Sequence, residues 1–284
     1  MFGEPAVYVE GALGPVRLNN PEGVALDADN NIWCGGAAGE IYRITPDGSS
    51  FELVASTGGF VLGIAFDRDG FLYACDLGAK TVFRFDPRTR ELIDLPVLPD
   101  GKAMVAPNYP VVDHARDRLL VSDSNEHHVP GGGVWAIDLA TGAAELWYAE
   151  PLDFANGLAM GVGGDELFLV ESWGGRVIRI PILPDGTAGT AEVVAADIPG
   201  IGDGLAVDSQ NRVYIACYTP SQILRITDDP ASRYEVIASD DLHQVMCHPT
   251  NIAFAPGRIL TANLGGHHIT GVALPDDVVG APLL

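Results

Sequence analysis

One pattern recurs six times along the chain and confines it to architectures built from copies of a single small β unit. Each copy opens with a small or polar residue, runs into a short β-rich apolar stretch that usually closes on Asp, turns, and enters a second β-rich stretch. The first is Pro21-Glu22-Gly23-Val24-Ala25-Leu26-Asp27 followed by Asn30-Asn31-Ile32-Trp33, and the fifth is Asp203-Gly204-Leu205-Ala206-Val207-Asp208 followed by Arg212-Val213-Tyr214-Ile215. The leading residues are Glu22, Leu62, Asn108, Asn156, Asp203 and Thr250, separated by 40, 46, 48, 47 and 47 residues. Spacing of about 40–50 residues with several short strands per unit is the signature of propeller blades.

Further runs complete each unit. Glu40-Ile41-Tyr42-Arg43-Ile44, Thr81-Val82-Phe83-Arg84-Phe85 and Arg176-Val177-Ile178-Arg179-Ile180 alternate between apolar and polar faces. A fourth run follows in most copies, as in Glu192-Val193-Val194-Ala195. Four strands in six copies fill the chain, so the expectation is an all-β, six-bladed β-propeller, one domain over residues 1–284. The run Ala6-Val7-Tyr8-Val9 has no blade of its own. It is expected to become the outer strand of the last blade, tying the ring shut and removing an exposed edge. The 34 glycines and 20 prolines suit the many tight turns this needs.

Equivalent positions on six blades meet around one axis. The leading residues then bring two carboxylates and two carboxamides to one end of the channel. Carboxylates held together repel, and a bound cation relieves the repulsion. Carboxylate and carboxamide oxygens are hard ligands, which favours Ca²⁺, with Mg²⁺, Zn²⁺ and Mn²⁺ as alternatives. The expected site is Glu22, Asn108, Asn156 and Asp203.

Net charge points the same way. With 38 acidic against 16 basic residues the chain carries a formal charge of −22, which disfavours nucleic acid and anionic membranes and favours cations. Met1–Asn20 lacks the basic start and apolar run of a secretory leader, and no stretch has the roughly 20 apolar residues of a membrane helix, so the cytoplasm is the expected location. Cys34, Cys75 and Cys217 fall within β runs and read as small buried hydrophobes rather than disulfide partners. Oligomeric state is not encoded in any recognisable feature.

Loops before first strands and after second strands frame the same end of a blade. Leu62, Tyr109, Phe154, Trp173 and Tyr218 lie there, as do Phe60, Val61 and Met104, and together they suggest an apolar mouth for a small molecule. His127, His128, His243, His248, His267 and His268 fall in the same loops and are candidates for proton transfer, with His127 and His267 also candidate substrate contacts. Pro130-Gly131-Gly132-Gly133 lacks the Lys-Ser/Thr of a phosphate loop and reads as a turn or lid.

The order and spacing of Glu22 in Pro-Glu-Gly, Asn108, Asn156 in Ala-Asn-Gly and Asp203 in Gly-Asp-Gly resemble the regucalcin–gluconolactonase superfamily of lactonases, phosphotriesterases and strictosidine synthase-like proteins. The resemblance covers nearly the whole chain. It implies that Glu22, Asn156 and Asp203 bind the cation directly, that Asn108 binds directly or through water, and that Asp203 and Asn108 are the catalytic residues. Sugar lactonases of this type carry Arg two residues before the third-blade Asn and Asp directly after it, where this chain has Ala106 and Tyr109. A polyol-gripping Arg is therefore missing. The implied activity is metal-dependent hydrolysis of a relatively apolar lactone or ester, with the cation polarising the carbonyl. An isomerase, cyclase or carbon–carbon bond-processing enzyme on the same scaffold is the first alternative, and a non-enzymatic calcium- or ligand-binding propeller the second.

Overall fold

The computed structural model describes residues 2–229 and 232–281. Within them, 24 strands form six four-stranded antiparallel sheets arranged as blades around a channel. The first five blades are laid down in chain order from the axis outward, and the sixth follows the same order for its inner three strands. The inner strands are Val24–Leu26, Val61–Phe66, Pro107–Asp113, Ala155–Met160, Gly202–Val207 and Pro249–Ala255. The six-bladed all-β expectation is met.

Hydrophobic patterning explains which strand takes which place. Second strands such as Leu72–Asp76 and Val213–Cys217 are buried along their whole length, because a neighbouring blade covers each face. Outer strands such as Phe51–Ser56 meet solvent and mix exposed with half-buried positions. The core lies between blades. Tyr73, Cys75 and Val82 of blade 2 pack with Leu119, Val121 and Trp135 of blade 3. Cys34, Cys75 and Cys217 are free thiols inside such layers, and burial pushes the Cys217 thiol up to about 12.

The N-terminal strand Ala6–Glu10 pairs antiparallel with His268–Ala273 and completes the sixth blade. Chain start and chain end thus share one sheet, as the unpartnered run at 6–9 predicts. No helix among the described residues is long and apolar enough to cross a membrane.

Carboxylates at the ends of second strands fasten the segments that lead into the axis. Asp123 accepts the backbone N–H groups of Val105 and Ala106, both at 2.9 Å. Glu171 accepts that of Asp153 at 2.8 Å and pairs with Arg176 at 2.7 Å. Asp76 accepts the N–H of Phe60 at 3.2 Å. A buried carboxylate is tolerated only when paired in this way, so each clamp fixes the position of the leading residue a few positions further on.

The closure can be tested within one strand. Val9 is fully buried and Val7 is 42% exposed. Val9→Asp should cost about 3 kcal/mol or more, whereas Val7→Asp should stay within about 0.5 kcal/mol of the parent. Urea denaturation of the two variants measures the contrast.

Candidate functional site

In blades 2 to 6 the register slips at the same place. Val61 faces Asp76 and Ile64 faces Ala74; Pro107 faces Asp123 and Pro110 faces Val121; Ala155 faces Glu171 and Leu158 faces Leu169. The slips at 202/205 and 249/252 are identical. In each case the leading residue and its successor together oppose a single residue of the second strand. Such a bulge re-aims side chains that strict alternation would send into the inter-blade core.

Crowding at the axis explains the glycine that follows most leading residues. A Cβ on Gly157 would lie 2.6 Å from the Asp203 carbonyl oxygen, and one on Gly63 would lie 2.4 Å from Cδ2 of Tyr109. Blade 3 carries Tyr109 at the equivalent place because Gly63 makes room for the ring.

Glu22, Asn108, Asn156 and Asp203 are all buried at this end of the channel. Asn108 donates its amide to Ser124 Oγ at 2.9 Å and Asn156 donates to Ser172 Oγ at 3.1 Å. That leaves Asn108 Oδ1 and Asn156 Oδ1 buried without a hydrogen-bond partner, and Asp203 Oδ1 is in the same condition. Asn251 shares it: its amide donates to the Glu22 carbonyl at 3.0 Å and to Glu22 Oε2 at 2.9 Å, while its own Oδ1 is unpartnered. Thr250 spends its hydroxyl on the Glu22 carbonyl at 2.7 Å, and Leu62 adds no polar atom to the ring.

Unpartnered buried acceptors are rare and costly. Three carboxamide oxygens beside the Glu22 and Asp203 carboxylates, together with Asp203 Oδ1 itself, form an arrangement that no donor among the described residues satisfies. Among the described residues no three His, Cys, Asp or Glu side chains gather to hold a metal, so any cation here would depend on the carboxamides for much of its coordination. Hard oxygen donors of this kind suit calcium or magnesium; zinc prefers nitrogen and sulfur. The residues present fit a calcium ion.

Electrostatics agree. Burial, and then the negative charge of Asp203, push the Glu22 carboxyl well above the usual carboxylate range, against the pull of the Asn251 hydrogen bond. Burial raises Asp203 to about 7, with Asn156 pulling it down. The two carboxylates interact, so the last proton belongs to the pair.

The expected mouth residues divide. Phe154, Trp173 and His127 form one cluster with His128. His128 stacks on Trp173 at 4.7 Å between ring centroids, His127 meets it edge-on at 5.1 Å, and Phe154 lies 5.3 Å from it. Phe154 adopts φ of 64°, a region that a bulky residue enters only under constraint. Tyr218 stacks on His248 at 4.6 Å, and His248 on His243 at 5.0 Å. His267 is spent otherwise, with Nδ1 at 2.8 Å from the Leu18 carbonyl. Tyr109 lies deeper than expected. The bulge turns it inward, where it packs with Leu120 and Leu158 and lines a cavity of about 360 Å³ on the opposite half of the channel, alongside Phe66, Met160 and Phe254. Val61 and Met104 are core residues. The glycine run is an ordered turn: Gly131 bridges to Leu152 and Gly133 begins a strand.

Ser124, Ser172 and Asn251 escaped the sequence reading. The serines carried a signal, because each lies 16 residues after a leading Asn. Asn251 sits beside Thr250, the position the repeat phase selects, and only the bulge makes its neighbour a site residue.

Fold and site together define a six-bladed propeller with a polar, acceptor-rich axial end. The chain belongs to the SMP-30/gluconolactonase/LRE-like family, whose model matches residues 91–261; a strictosidine synthase-like N-terminal model matches residues 15–44. Lactonase drp35 of Staphylococcus saprophyticus is 25% identical over 262 residues, covering 85% of this chain and 78% of that protein. Among solved structures, a gluconolactonase of Xanthomonas campestris aligns with a TM-score of 0.74 at 18% identity, covering 96% of this chain and 95% of that one. A calcium-binding regucalcin of Agrobacterium tumefaciens aligns with a TM-score of 0.75 at 16% identity, covering 98% and 95%. These two structural likenesses concern the fold.

The raised carboxyls make a signed prediction. A carboxyl raised in the folded state stabilises the fold while protonated, below its unfolded value near about 4, and that stability is lost as pH climbs through the folded value. In EGTA, Asp203→Asn should therefore melt above the parent at pH 8, and the gap should shrink toward pH 5. Thermal melts of both proteins across that range test it; a gap independent of pH would contradict the assignment.

Proposed function

We propose that the protein hydrolyses lactones or related esters at the acceptor-lined end of the channel, with a divalent cation, calcium in the first place, held by Glu22, Asn156 and Asp203, and by Asn108 directly or through water. The carrying observation is the convergence of unpartnered oxygens from Asn108, Asn156 and Asp203 beside Glu22. The family and the lactonase relative support the reaction class.

A bound cation would polarise the substrate carbonyl and stabilise the oxyanion that develops on it. The protein does the rest. Glu22 is held by Asn251, and the two asparagines turn their oxygens to the axis. Asp203 orients a water molecule and takes its proton as the oxygen adds to the carbonyl carbon. The Oδ1 of Asp203, which has no hydrogen-bond partner among the described residues, is the oxygen placed to accept and return that proton. The ring C–O bond then breaks and the departing alkoxide receives the proton, giving the hydroxy acid. Phe154, Trp173, Tyr218 and Leu62 supply apolar surface around the mouth, and no Arg stands two residues before Asn108 to grip a polyol. This favours an apolar lactone over a sugar lactone.

A panel of aliphatic, aryl and sugar lactones with matched esters, assayed with calcium and with EGTA, tests the reading. EGTA should abolish turnover and calcium restore it. Glu22→Gln and Asp203→Asn should each lose at least about 100-fold in kcat/KM, a range typical of removing electrostatic stabilisation or a general base. Full turnover in EGTA, or in either variant, would exclude the mechanism.

A further inference from the structure

A carboxamide is an ambiguous ligand: one end accepts and the other donates. A half-turn about its last bond would aim the NH₂ of Asn108 or Asn156 at the axis and repel a cation. Something must choose the end. The choice is legible in the hydrogen bonds of two serines that lie outside the ring of leading residues.

Ser124 is fully buried and Ser172 nearly so. Ser124 Oγ lies 2.6 Å from the carbonyl of Ala155, and Ser172 Oγ lies 2.7 Å from the carbonyl of Gly202. A backbone carbonyl can only accept, so each hydroxyl must give it its single proton. The hydroxyl is then an acceptor toward everything else. Asn108 at 2.9 Å and Asn156 at 3.1 Å must therefore present NH₂ to the serine, leaving Oδ1 for the axis. Orientation follows from proton counting.

The carbonyls that receive these protons are not arbitrary. Ala155 immediately precedes Asn156, and Gly202 immediately precedes Asp203. Each serine thus reads the backbone position of the next blade's ligand and passes it to its own blade's asparagine. The chain runs Asn108, Ser124, blade 4, Asn156, Ser172, blade 5.

We propose that Ser124 and Ser172 are positioning residues that polarise the carboxamides of Asn108 and Asn156 toward an axial cation. The proposal rests on the cation reading above. Outer partners of metal ligands commonly contribute about 10- to 100-fold in affinity. The role also predicts its own exception. A carboxylate has two equivalent oxygens and needs no orienting, so the serine should lose its influence when its asparagine becomes Asp.

Calcium titration calorimetry on the full chain provides the test, with the calcium-free melting temperature recorded for each variant as a check on folding. Ser124→Ala and Ser172→Ala should each weaken the calcium Kd by about 10-fold. In the Asn156→Asp background, Ser172→Ala should change Kd by less than about 2-fold, an interaction that only a double-mutant cycle isolates. A purely structural serine would lower the melting temperature equally in both backgrounds and leave that difference at zero. Calcium affinities unchanged in both alanine variants, or an equal loss with Asn and with Asp at 156, would overturn the inference while leaving the cation reading intact. Failure of the parent protein to bind calcium at all would overturn both.

Discussion

Everything at the axis depends on the pairing between the two ends of the chain. Glu22 belongs to the first blade and Thr250 and Asn251 to the last, yet both of the latter bond the Glu22 carbonyl, and Asn251 also holds its carboxylate. That meeting exists because Ala6–Glu10 lies beside His268–Ala273. The N-terminal strand gives the sixth blade the same four strands as the other five; without it His268–Ala273 would be left as a frayed edge. Closure is thus both the source of rigidity and the condition for a complete set of axial side chains.

Rigidity matters because the axial end is electrostatically unfavourable by itself. Two carboxylates share a buried space with carboxamide oxygens that no donor among the described residues satisfies. A soft scaffold would relax and let water in, or rotate an amide to make an internal hydrogen bond. Here Asp123 and Glu171 pin the approach to the inner strands, bulges aim the leading residues, and buried hydroxyls occupy the amide ends. The electrostatic tension at this end of the channel is thereby preserved.

Much of this was legible in the sequence. The period named the fold and the closing strand, because blade repeats and unpartnered runs are one-dimensional signals. The leading residues were legible because side chains at one phase of a rotational repeat share one location. What stayed hidden depends on local geometry. A bulge shifts the residue after the leader, which is why Asn251 joined the site and Tyr109 left the mouth for the opposite half of the channel. Serine is common in loops, so Ser124 and Ser172 became meaningful only when their hydroxyls were seen against carbonyls of the adjacent blade. His267 was indistinguishable from its neighbours until its bond to Leu18 appeared.

The repeated bulge has a broader implication. Because the inner strands of blades 2 to 6 relinquish regular pairing at the leading residue and its successor, these axial positions are the ones on which those sheets least depend. A lineage can exchange one axial side chain per blade while its cores between blades persist. Divergent catalysts can descend from one such ring by altering a handful of sites, with the cost confined to the axis.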